Sequence, residues 1–437
     1  MNLKVFDRLE SEVRGYIRSF PVLFSKARGS KLIDEDNNVY IDFFAGAGTL
    51  NYGHNNPIIK QDLLDYLDAD GLIHGLDMAT VAKKEMLETF ERVILVPRAM
   101  KYKVQFPGPT GTNAVEAALK LARQVKGRSS IISFTHGFHG VSGASLAATA
   151  NAKYRDAAGM TLDNTTFMPY DGYLGAGVDT TQYLERMVGD RSSGVDRPAA
   201  VIVETVQGEG GVNVASAAWL RSLEQVCRRH DMLLIVDDIQ MGCGRTGRFF
   251  SFEESGISPD IVTLSKSISA YGLPMALVLM KPELDIWRPG AHNGTFRGNN
   301  LAFVTARAAF LHYWSDDTFQ DSVRRKGGIM RNWLEHIAED YPSGEFEVRG
   351  RGMIQGLASA DRQLADRIAK RCFEKRLIIE TSGEDDVLKL LPALTIDEQL
   401  LCQGLEIIED SVADVLGVAR VRGRDRKIKY INFRTAR

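Results

Sequence analysis

Short apolar runs that alternate with amphipathic segments constrain the fold of this 437-residue chain more than any other feature. Such runs are typical of strands buried on both faces, as in a parallel sheet. Five of them are continuous and rich in strand-forming residues: 130–134, 200–203, 233–236, 261–264 and 276–280. Between them, residues 113–126 and 217–230 are rich in helix formers, with Gly127 as a stop for the first helix and Ser216 as an N-cap for the second.

The repetition of strand, helix and strand predicts an α/β fold with helices on both faces of a mostly parallel sheet. We assign this sheet to a large domain over residues 50–314. From about residue 315 the chain is helix-like and charged, and strand candidates follow at 346–349 and 387–391. Residues 315–437 are therefore predicted to form a smaller α+β domain. Residues 1–49 are expected to pack with that smaller domain. The basic segment 420–437 is interpreted as a solvated terminal extension.

Composition argues against several classes of protein. The net charge of −2 gives no basic excess for nucleic acid. The four cysteines are scattered, which argues against a disulfide framework or a structural zinc site and favours a reducing compartment. No apolar run is long enough to span a membrane, and the N-terminus lacks the apolar core of a signal peptide. A cytoplasmic protein that binds neither membrane nor nucleic acid is expected.

Two residues that follow predicted strands point to a ligand site. Lys266 follows the run 261–264, and Asp237 follows the run 233–236. Open α/β sheets bind ligands at the carboxyl ends of their strands, where both side chains would lie. A carboxylate there can pair with a protonated pyridine nitrogen, and Gln240 could bond a ring oxygen. Taken alone, Lys266 could be an ordinary exposed lysine, and Asp237 could be a metal ligand or a helix cap. The two together are a more specific sign of a ligand site.

A glycine turn at residues 108–113 opens the predicted helix 113–126 and could hold a phosphate. Small residues let backbone N–H groups approach an anion, and the helix N-terminus adds partial positive charge. The alternative is an ordinary turn with Thr112 as the N-cap. No Gly-Lys-Ser/Thr follows, and no GxGxxG forms at this turn, so neither a P-loop nor a dinucleotide fingerprint is present.

Three further loops carry candidate site residues. In residues 135–140, Phe138 could stack on an aromatic ligand, although it could also be a core residue. A zinc site from His136 and His139 has no supporting cluster of ligands. In residues 204–211, Glu204 and Glu209 are expected to project into the same crevice. Residues 294–300 form a small polar loop whose hydroxyl could bind an anion.

In order, the segments GTN, FHG, ETVQGEGG, DDIQ, SK and GTFRGN resemble the class III aminotransferases of pyridoxal-phosphate (PLP) fold type I. The resemblance extends from the region of residues 42–54 to about residue 410. It implies a PLP enzyme in which Lys266 bonds the cofactor aldehyde covalently and Asp237 pairs with the ring nitrogen. It implies further cofactor contacts from these residues: Gly111, Thr112, Phe138, His139, Glu204, Gln240 and Thr295.

The same resemblance implies a homodimer with shared active sites, because Thr295 would reach the phosphate bound by the neighbouring subunit. Glu209 resembles the glutamate that gates the substrate pocket in this family. At the position where many members place a carboxylate-binding arginine, this chain has Lys389, which offers a point charge instead of a bidentate fork. Glu209 and Lys389 are therefore the expected substrate residues.

Several stretches, among them FFAGAGTLNYGHNNP and VDDIQMGCGRTG, are similar to family members that form diaminobutyrate, as in ectoine biosynthesis. This implies exchange of the amino group of L-glutamate with L-aspartate 4-semialdehyde. Other class III activities of the ornithine or 4-aminobutyrate type remain open, as does a PLP decarboxylase or aminomutase on the same fold. The intact pair of Lys266 and Asp237 argues against a homologue that serves only for interaction.

Overall fold

A computed structural model describes residues 3–421 of the chain. Most of the basic segment 420–437 therefore lies outside the described residues. Seventeen strands occur in the described part: β1 (Phe24–Arg28), β2 (Lys31–Asp34), β3 (Val39–Asp42), β4 (Lys103–Gln105), β5 (Ile131–Phe134), β6 (Thr165–Met168), β7 (Ala200–Val203), β8 (Val206–Gln207), β9 (Asn213–Val214), β10 (Leu233–Asp237), β11 (Ile261–Leu264), β12 (Leu277–Met280), β13 (Phe346–Arg351), β14 (Ile354–Ser359), β15 (Leu377–Ile378), β16 (Glu380–Ser382) and β17 (Val387–Leu390).

The α-helices of residues 3–421 range from single turns to a helix of 23 residues. They are α1 (Lys4–Leu9), α2 (Tyr16–Ser19), α3 (Ala45–Gly48), α4 (Pro57–Asp68), α5 (Val81–Thr89), α6 (Gly111–Lys126), α7 (Gly143–Ala147), α8 (Ala152–Asp156), α9 (Thr180–Gly189), α10 (Ala217–Arg229), α11 (Asn300–Tyr313), α12 (Thr318–Asp340), α13 (Leu364–Glu374) and α14 (Glu398–Leu416). A π-helix spans Phe90–Leu95, and short 3-10 helices include Lys266–Ser269 and Thr295–Arg297.

The central sheet has seven strands in the order β4-β12-β11-β10-β7-β5-β6, which confirms the α/β fold class. All five apolar runs form strands of this sheet, and every residue of β5, β7, β10, β11 and β12 is buried. Five neighbouring strands, from β11 to β6, run parallel, but β12 is antiparallel to both β11 and β4. The connection from β11 to β12 contains a 3-10 helix and no α-helix, so it makes no crossover and the chain returns antiparallel.

Besides the central sheet and the antiparallel pair β8-β9, the described residues form two four-stranded sheets. In the first, β1, β2 and β3 pair antiparallel, and β3 pairs parallel with β15, so the N-terminal strands share a sheet with a strand from the C-terminal part. The second has the antiparallel order β13-β14-β17-β16. The boundary predicted between residues 314 and 315 falls between α11 and α12. The division into 1–49, 50–314 and 315–437 remains our proposal.

The predicted helices start and stop for identifiable local reasons. Helix α6 begins two residues before the predicted 113, because Thr110 is the N-cap and forms a capping box with Asn113. The interpretation of Thr112 as the cap is therefore wrong. Gly127 ends α6 with φ of 60°, which glycine adopts readily. Ser216 caps α10 through the N–H of Trp219, as expected.

Within residues 3–421, no helix is both long and apolar enough to cross a membrane. The described part also contains no group of three or more His, Cys, Asp or Glu side chains placed to hold a metal ion.

Candidate active site

Lys266 is separated from the end of β11 by one residue and begins a short 3-10 helix. Its φ is 50°, an uncommon value for a residue with a side chain. The ammonium Nζ donates a hydrogen bond to the carbonyl oxygen of Ala47, 2.9 Å away. Ala47 lies in α3, a single turn whose four residues all have positive φ. Burial lowers the pKa of Lys266, although Glu209 opposes that shift, so its amine loses a proton more easily than a surface lysine.

Asp237 is the last residue of β10 and lies opposite Thr263 in the parallel register with β11. Its carboxylate is buried and each oxygen has a partner. One oxygen accepts from the Thr263 hydroxyl at 3.1 Å and from the Ile239 N–H at 3.2 Å. The other lies 2.8 Å from Nδ1 of His139. Burial alone would lower the pKa of His139, but its bond to Asp237 and the charge of Asp237 raise it.

Glu204 and Phe138 meet beside this carboxylate. The Phe138 N–H donates to Oε2 of Glu204 at 2.9 Å. Burial raises the pKa of Glu204 to about 7; His139 opposes this shift and Asp237 reinforces it. The ring of Phe138 is half-buried and packs edge-on against Tyr154, with ring centroids 5.2 Å apart. Phe138 is therefore partly exposed, unlike the residues of the hydrophobic core.

The glycine turn at the start of α6 lies close to the segment that follows Asp237. A Cβ at Gly111 would lie 3.1 Å from the side chain of Ile239. The Thr112 hydroxyl bonds to the hydroxyls of Ser142, at 3.0 Å, and Ser145. Gly140 has φ of 131°, and a Cβ there would collide with Oγ1 of Thr112. The turn thus gathers backbone N–H groups and hydroxyls at a helix N-terminus, as an anion site requires.

Lys389 forms the centre of a buried charge cluster with two carboxylates. Its side chain is 0% exposed, and Nζ lies 2.8 Å from Oε1 of Glu209 and 3.1 Å from Oε1 of Glu380. Burial opposes the charged form of Lys389, but Glu209 and Glu380 outweigh this and raise its pKa. Burial would raise the pKa of Glu209, but Lys389 and Lys266 lower it to about 2. Glu209 is therefore an anion paired with Lys389.

Gln240 links this cluster to the lysine site. Its Nε2 donates to Oε1 of Glu209 at 2.9 Å and to the Ala47 carbonyl at 3.1 Å, the same oxygen that accepts from Lys266. Its Oε1 is buried and has no hydrogen-bond partner among residues 3–421. Both N–H groups of the amide are thus engaged, so contact with a ring oxygen would require Gln240 to exchange one of these partners.

Thr295 lies apart from the other candidate residues. It is exposed at the start of the 3-10 helix Thr295–Arg297, beside Phe296, whose exposed fraction is 68%. Within the described part of the chain, no hydrogen bond joins Thr295 to Lys266, Asp237 or the residues around them. Lys266, Asp237, His139, Glu204, Glu209, Gln240 and Lys389 are brought together by one chain; Thr295 is not.

Glu380, which contacts Lys389, was not among the residues predicted from sequence. A signal was present, because Glu380 directly follows the apolar residues 377–379, as Asp237 follows the apolar run 233–236. The Ala47 carbonyl was not predicted either. No sequence pattern identifies that group, because it depends on the left-handed turn α3.

The chemistry of the groups in the site fits PLP. The cofactor presents an aldehyde, a ring nitrogen and a phosphate, which require an amine, a carboxylate and an anion site. Lys266, the buried Asp237 and the turn at Gly111 and Thr112 supply these groups at one end of the central sheet. The glycine at 140 lets the hydroxyls of Thr112 and Ser145 approach its backbone, which a side chain there would prevent.

Comparison with known proteins shows the family of the chain. The family model described as Aminotransferase class-III matches residues 15–412. A diaminobutyrate–2-oxoglutarate transaminase from Bordetella parapertussis is 71% identical over 418 residues, covering 95% of this chain and 96% of the relative. One from Halomonas elongata is 58% identical and covers 94% of this chain and 99% of the relative.

Solved structures give the same fold. The ornithine aminotransferase from Toxoplasma gondii, with PLP at partial occupancy in its active site, matches with a TM-score of 0.82 and 26% identity, covering 95% of this chain and 94% of that one. A transaminase from the marine bacterium Virgibacillus matches with a TM-score of 0.83 and 19% identity, covering 95% and 98%, which shows the fold alone. The chain therefore belongs to the class III aminotransferases, a family of PLP-dependent enzymes.

Proposed function

We propose that this aminotransferase exchanges the amino group of L-glutamate with the aldehyde oxygen of L-aspartate 4-semialdehyde, giving L-2,4-diaminobutyrate and 2-oxoglutarate. The 71% identity to a relative that carries this activity in its name supports the proposal. The structural observation that carries it is the pair of Glu209 and Lys389 beside Lys266.

The two substrates place different demands on the pocket. Glutamate carries a carboxylate on its reacting carbon, whereas diaminobutyrate reacts at its terminal amine and carries none there. A buried cation that faced this carbon would lack an anion on the substrate side in one half-reaction, at a cost in free energy. Glu209 avoids that cost because it pairs with Lys389 when no substrate carboxylate is present and releases the ammonium when glutamate binds.

The remaining residues would hold the cofactor and move a proton. Bound PLP supplies an electron sink for the charge that develops at the substrate carbon. Asp237, positioned by His139 and Thr263, would keep the ring nitrogen protonated. Lys266 Nζ, with a pKa lowered by burial, would take the proton from the carbon and return it. Gly111 and Thr112 would bind the phosphate and orient the ring.

A panel of amino donors tests the substrate. The holoenzyme would be assayed with diaminobutyrate, ornithine, 4-aminobutyrate and lysine against 2-oxoglutarate, with the products identified by mass spectrometry. We expect diaminobutyrate to give the highest kcat/KM and to yield aspartate 4-semialdehyde. Good ornithine or 4-aminobutyrate turnover without diaminobutyrate turnover would contradict the substrate, and carbon dioxide release would indicate a decarboxylase.

The pairing of Glu209 with Lys389 predicts an asymmetric effect of Glu209→Ala. We expect the half-reaction with diaminobutyrate to slow by about tenfold, the size of a lost hydrogen bond to a charged group, because Lys389 then lacks its second partner. The half-reaction with glutamate should change little, since the substrate carboxylate replaces Glu209. Single-turnover absorbance of the bound cofactor with each amine measures both rates. Equal slowing of the two would contradict the exchange of partners.

We also propose that the active enzyme is a homodimer with shared sites. Around Thr295, apolar side chains are exposed together, and the segment 72–81 is tied to this loop by the bond from the Gly75 N–H to the Gly298 carbonyl at 2.9 Å. Exposed apolar clusters of this kind mark protein interfaces. The exposed residues are Leu72, Ile73, Leu76, Met78, Val81 and Phe296. A second copy covering this surface would bring Thr295 to the neighbouring phosphate.

Mixed dimers test the shared site. Thr295→Ala should weaken cofactor retention, and Lys266→Ala should be inactive. In a heterodimer of the two, one site carries both changes and the other carries neither, so about half of wild-type activity is expected at limiting cofactor. Tandem tags on the two chains allow verified heterodimers to be purified. Activity no higher than that of the Thr295→Ala homodimer would show that each site is built from one chain.

A further inference from the structure

Glu380 is held next to Lys389 by the backbone of one sheet. The two residues are direct neighbours in the antiparallel register of β16 and β17. The Glu380 side chain is 9% exposed, that of Lys389 is 0% exposed, and their charged atoms lie 3.1 Å apart. Because the paired strands hold the two backbones side by side, the carboxyl group of Glu380 stays within reach of the ammonium.

Glu209 is a partner of a different kind. It comes from the loop between β8 and β9, and its side chain is 24% exposed. The backbone of this loop is fixed to β16 and the following turn: the Ser382 hydroxyl donates to the Gly208 carbonyl at 2.6 Å, and the Gly383 N–H donates to the Glu209 carbonyl at 3.1 Å. The side chain of Glu209 can therefore leave Lys389 while the loop stays in place.

We propose that Glu380 is a positioning residue for the substrate carboxylate, because it holds the Lys389 ammonium in one place whether Glu209 or the carboxylate of glutamate is the other partner. This inference rests on the proposed exchange of partners at Lys389. An arginine would bind a carboxylate through a rigid fork, whereas a lysine is a point charge on a flexible stem. Glu380 supplies the orientation that the lysine lacks.

The same geometry couples the binding of a carboxylate to a proton on Glu380. When the carboxylate of glutamate takes the place of Glu209 at Lys389, the backbone of Glu209 stays fixed beside β16, so its carboxylate remains near the cluster and the number of anions around the ammonium rises from two to three. Burial raises the pKa of Glu380 to about 7, with Lys389 opposing and Glu209 reinforcing the shift. The charged and titratable groups that act on Glu380 come from five elements: Tyr16, Tyr154, Glu209, Lys266 and Lys389.

Whether carboxylate binding takes up or releases a proton follows from the charge of Glu380 in its protonated and ionised forms. Below about pH 7 Glu380 is neutral, so the cluster accepts the carboxylate of a ligand. Above that pH Glu380 is an anion that repels the incoming carboxylate. Binding of a carboxylate on the reacting side should therefore take up a proton and weaken as the pH rises.

The test uses glutarate, a five-carbon dicarboxylate without an amine, so that binding is measured without reaction. Titration calorimetry of the PLP-loaded enzyme in two buffers of different ionisation enthalpy gives both affinity and proton uptake. For the wild type we expect uptake of about half a proton at pH 7 and an affinity about tenfold weaker at pH 8 than at pH 6. Pyruvate, a monocarboxylate, is titrated in the same way, so that its affinity and proton uptake can be compared with those of the dicarboxylate.

Two variants separate the effects of charge and position. Glu380→Gln mimics the neutral form, so it should bind glutarate like the wild type at pH 6, with no proton uptake and less than about twofold change up to pH 8. Glu380→Ala removes the carboxyl group that holds the Lys389 ammonium. It should weaken glutarate binding about tenfold at pH 6, where the charge of Glu380 plays little part. Glu384→Gln makes the same change at an exposed position of the same hairpin and should behave like the wild type.

Each outcome decides the proposal. If Glu380→Gln keeps the wild-type proton uptake, or if Glu380→Ala binds glutarate normally, Glu380 has no such role. Cofactor absorbance and thermal unfolding of each variant separate a folding defect from a binding defect. Failure of the proposed substrate would appear as absent diaminobutyrate turnover in the wild type, whereas failure of the Glu380 role would appear only in the glutarate titrations of the variants.

Discussion

Lys266→Ala should lower transamination below detection, because the variant lacks the amine that bonds the cofactor and moves the proton. The side chain lies just beyond the end of β11, and burial lowers its pKa. An exposed lysine has neither this position nor this lowered pKa, so it cannot replace Lys266. The residual rate would be measured in single turnovers with glutamate by cofactor absorbance. The expected loss is at least about a thousandfold, since both covalent and proton-transfer catalysis are removed.

Lys266→Arg serves as the matched control. It keeps a positive charge near Glu209 but offers no amine for the cofactor, and it should be as inactive as the alanine variant. Both variants should still bind PLP through the site at Gly111 and Thr112, which ultrafiltration with cofactor assay would detect. Turnover near the wild-type level in either variant would mean that Lys266 is not the catalytic lysine.

Asp237→Asn should bind PLP but lose about a hundredfold in rate, which corresponds to roughly 3 kcal/mol of barrier height. An amide has nearly the shape of the carboxylate but carries no charge to keep a ring nitrogen protonated. His139 and Thr263, which bond the Asp237 carboxylate, can still form hydrogen bonds with the amide of the variant, so the fold should persist. The rate would be measured in both half-reactions, which should fall together because both need the same electron sink.

The neighbouring Asp238 provides a matched control for that substitution. It is equally buried but accepts from the Ser251 N–H at 3.1 Å. Burial raises its pKa to about 7, partly offset by Ser251, so a neutral amide is a close replacement. Asp238→Asn should lose less than about tenfold, the size of one charged hydrogen bond. Comparable losses at 237 and 238 would indicate a general effect of disturbing β10.

The elements that could be predicted from sequence depend on residues close together in the chain. The five buried strands appeared at the expected places because continuous apolar runs have few alternatives to a buried strand. Lys266 and Asp237 were found for the same reason, since each follows such a strand. The helix over 113–126 was also predicted, but its first turn was not, because its cap lies in the glycine turn at Thr110.

Contacts between distant parts of the chain could not be predicted in this way. The direction of β12 depends on how the chain turns after Lys266, and no periodicity encodes it. The Ala47 carbonyl reaches Lys266 across more than two hundred residues, through a left-handed turn. Glu209 was predicted to gate the substrate pocket and Lys389 to be a substrate residue, but nothing in either segment shows that Oε1 of Glu209 and Nζ of Lys389 lie 2.8 Å apart.

The α/β class, the strands of the central sheet, the family, and the lysine and aspartate at the strand ends could all be predicted, because local apolar pattern and ordered motifs encode them. Which charges meet depends on how distant parts of the chain pack. Glu380 and Lys389 become neighbours through the register of two strands, and Glu209 joins them from a loop about 180 residues away. Register and loop position follow from the packing of the whole chain, so the charge balance of this pocket is a property of the folded protein.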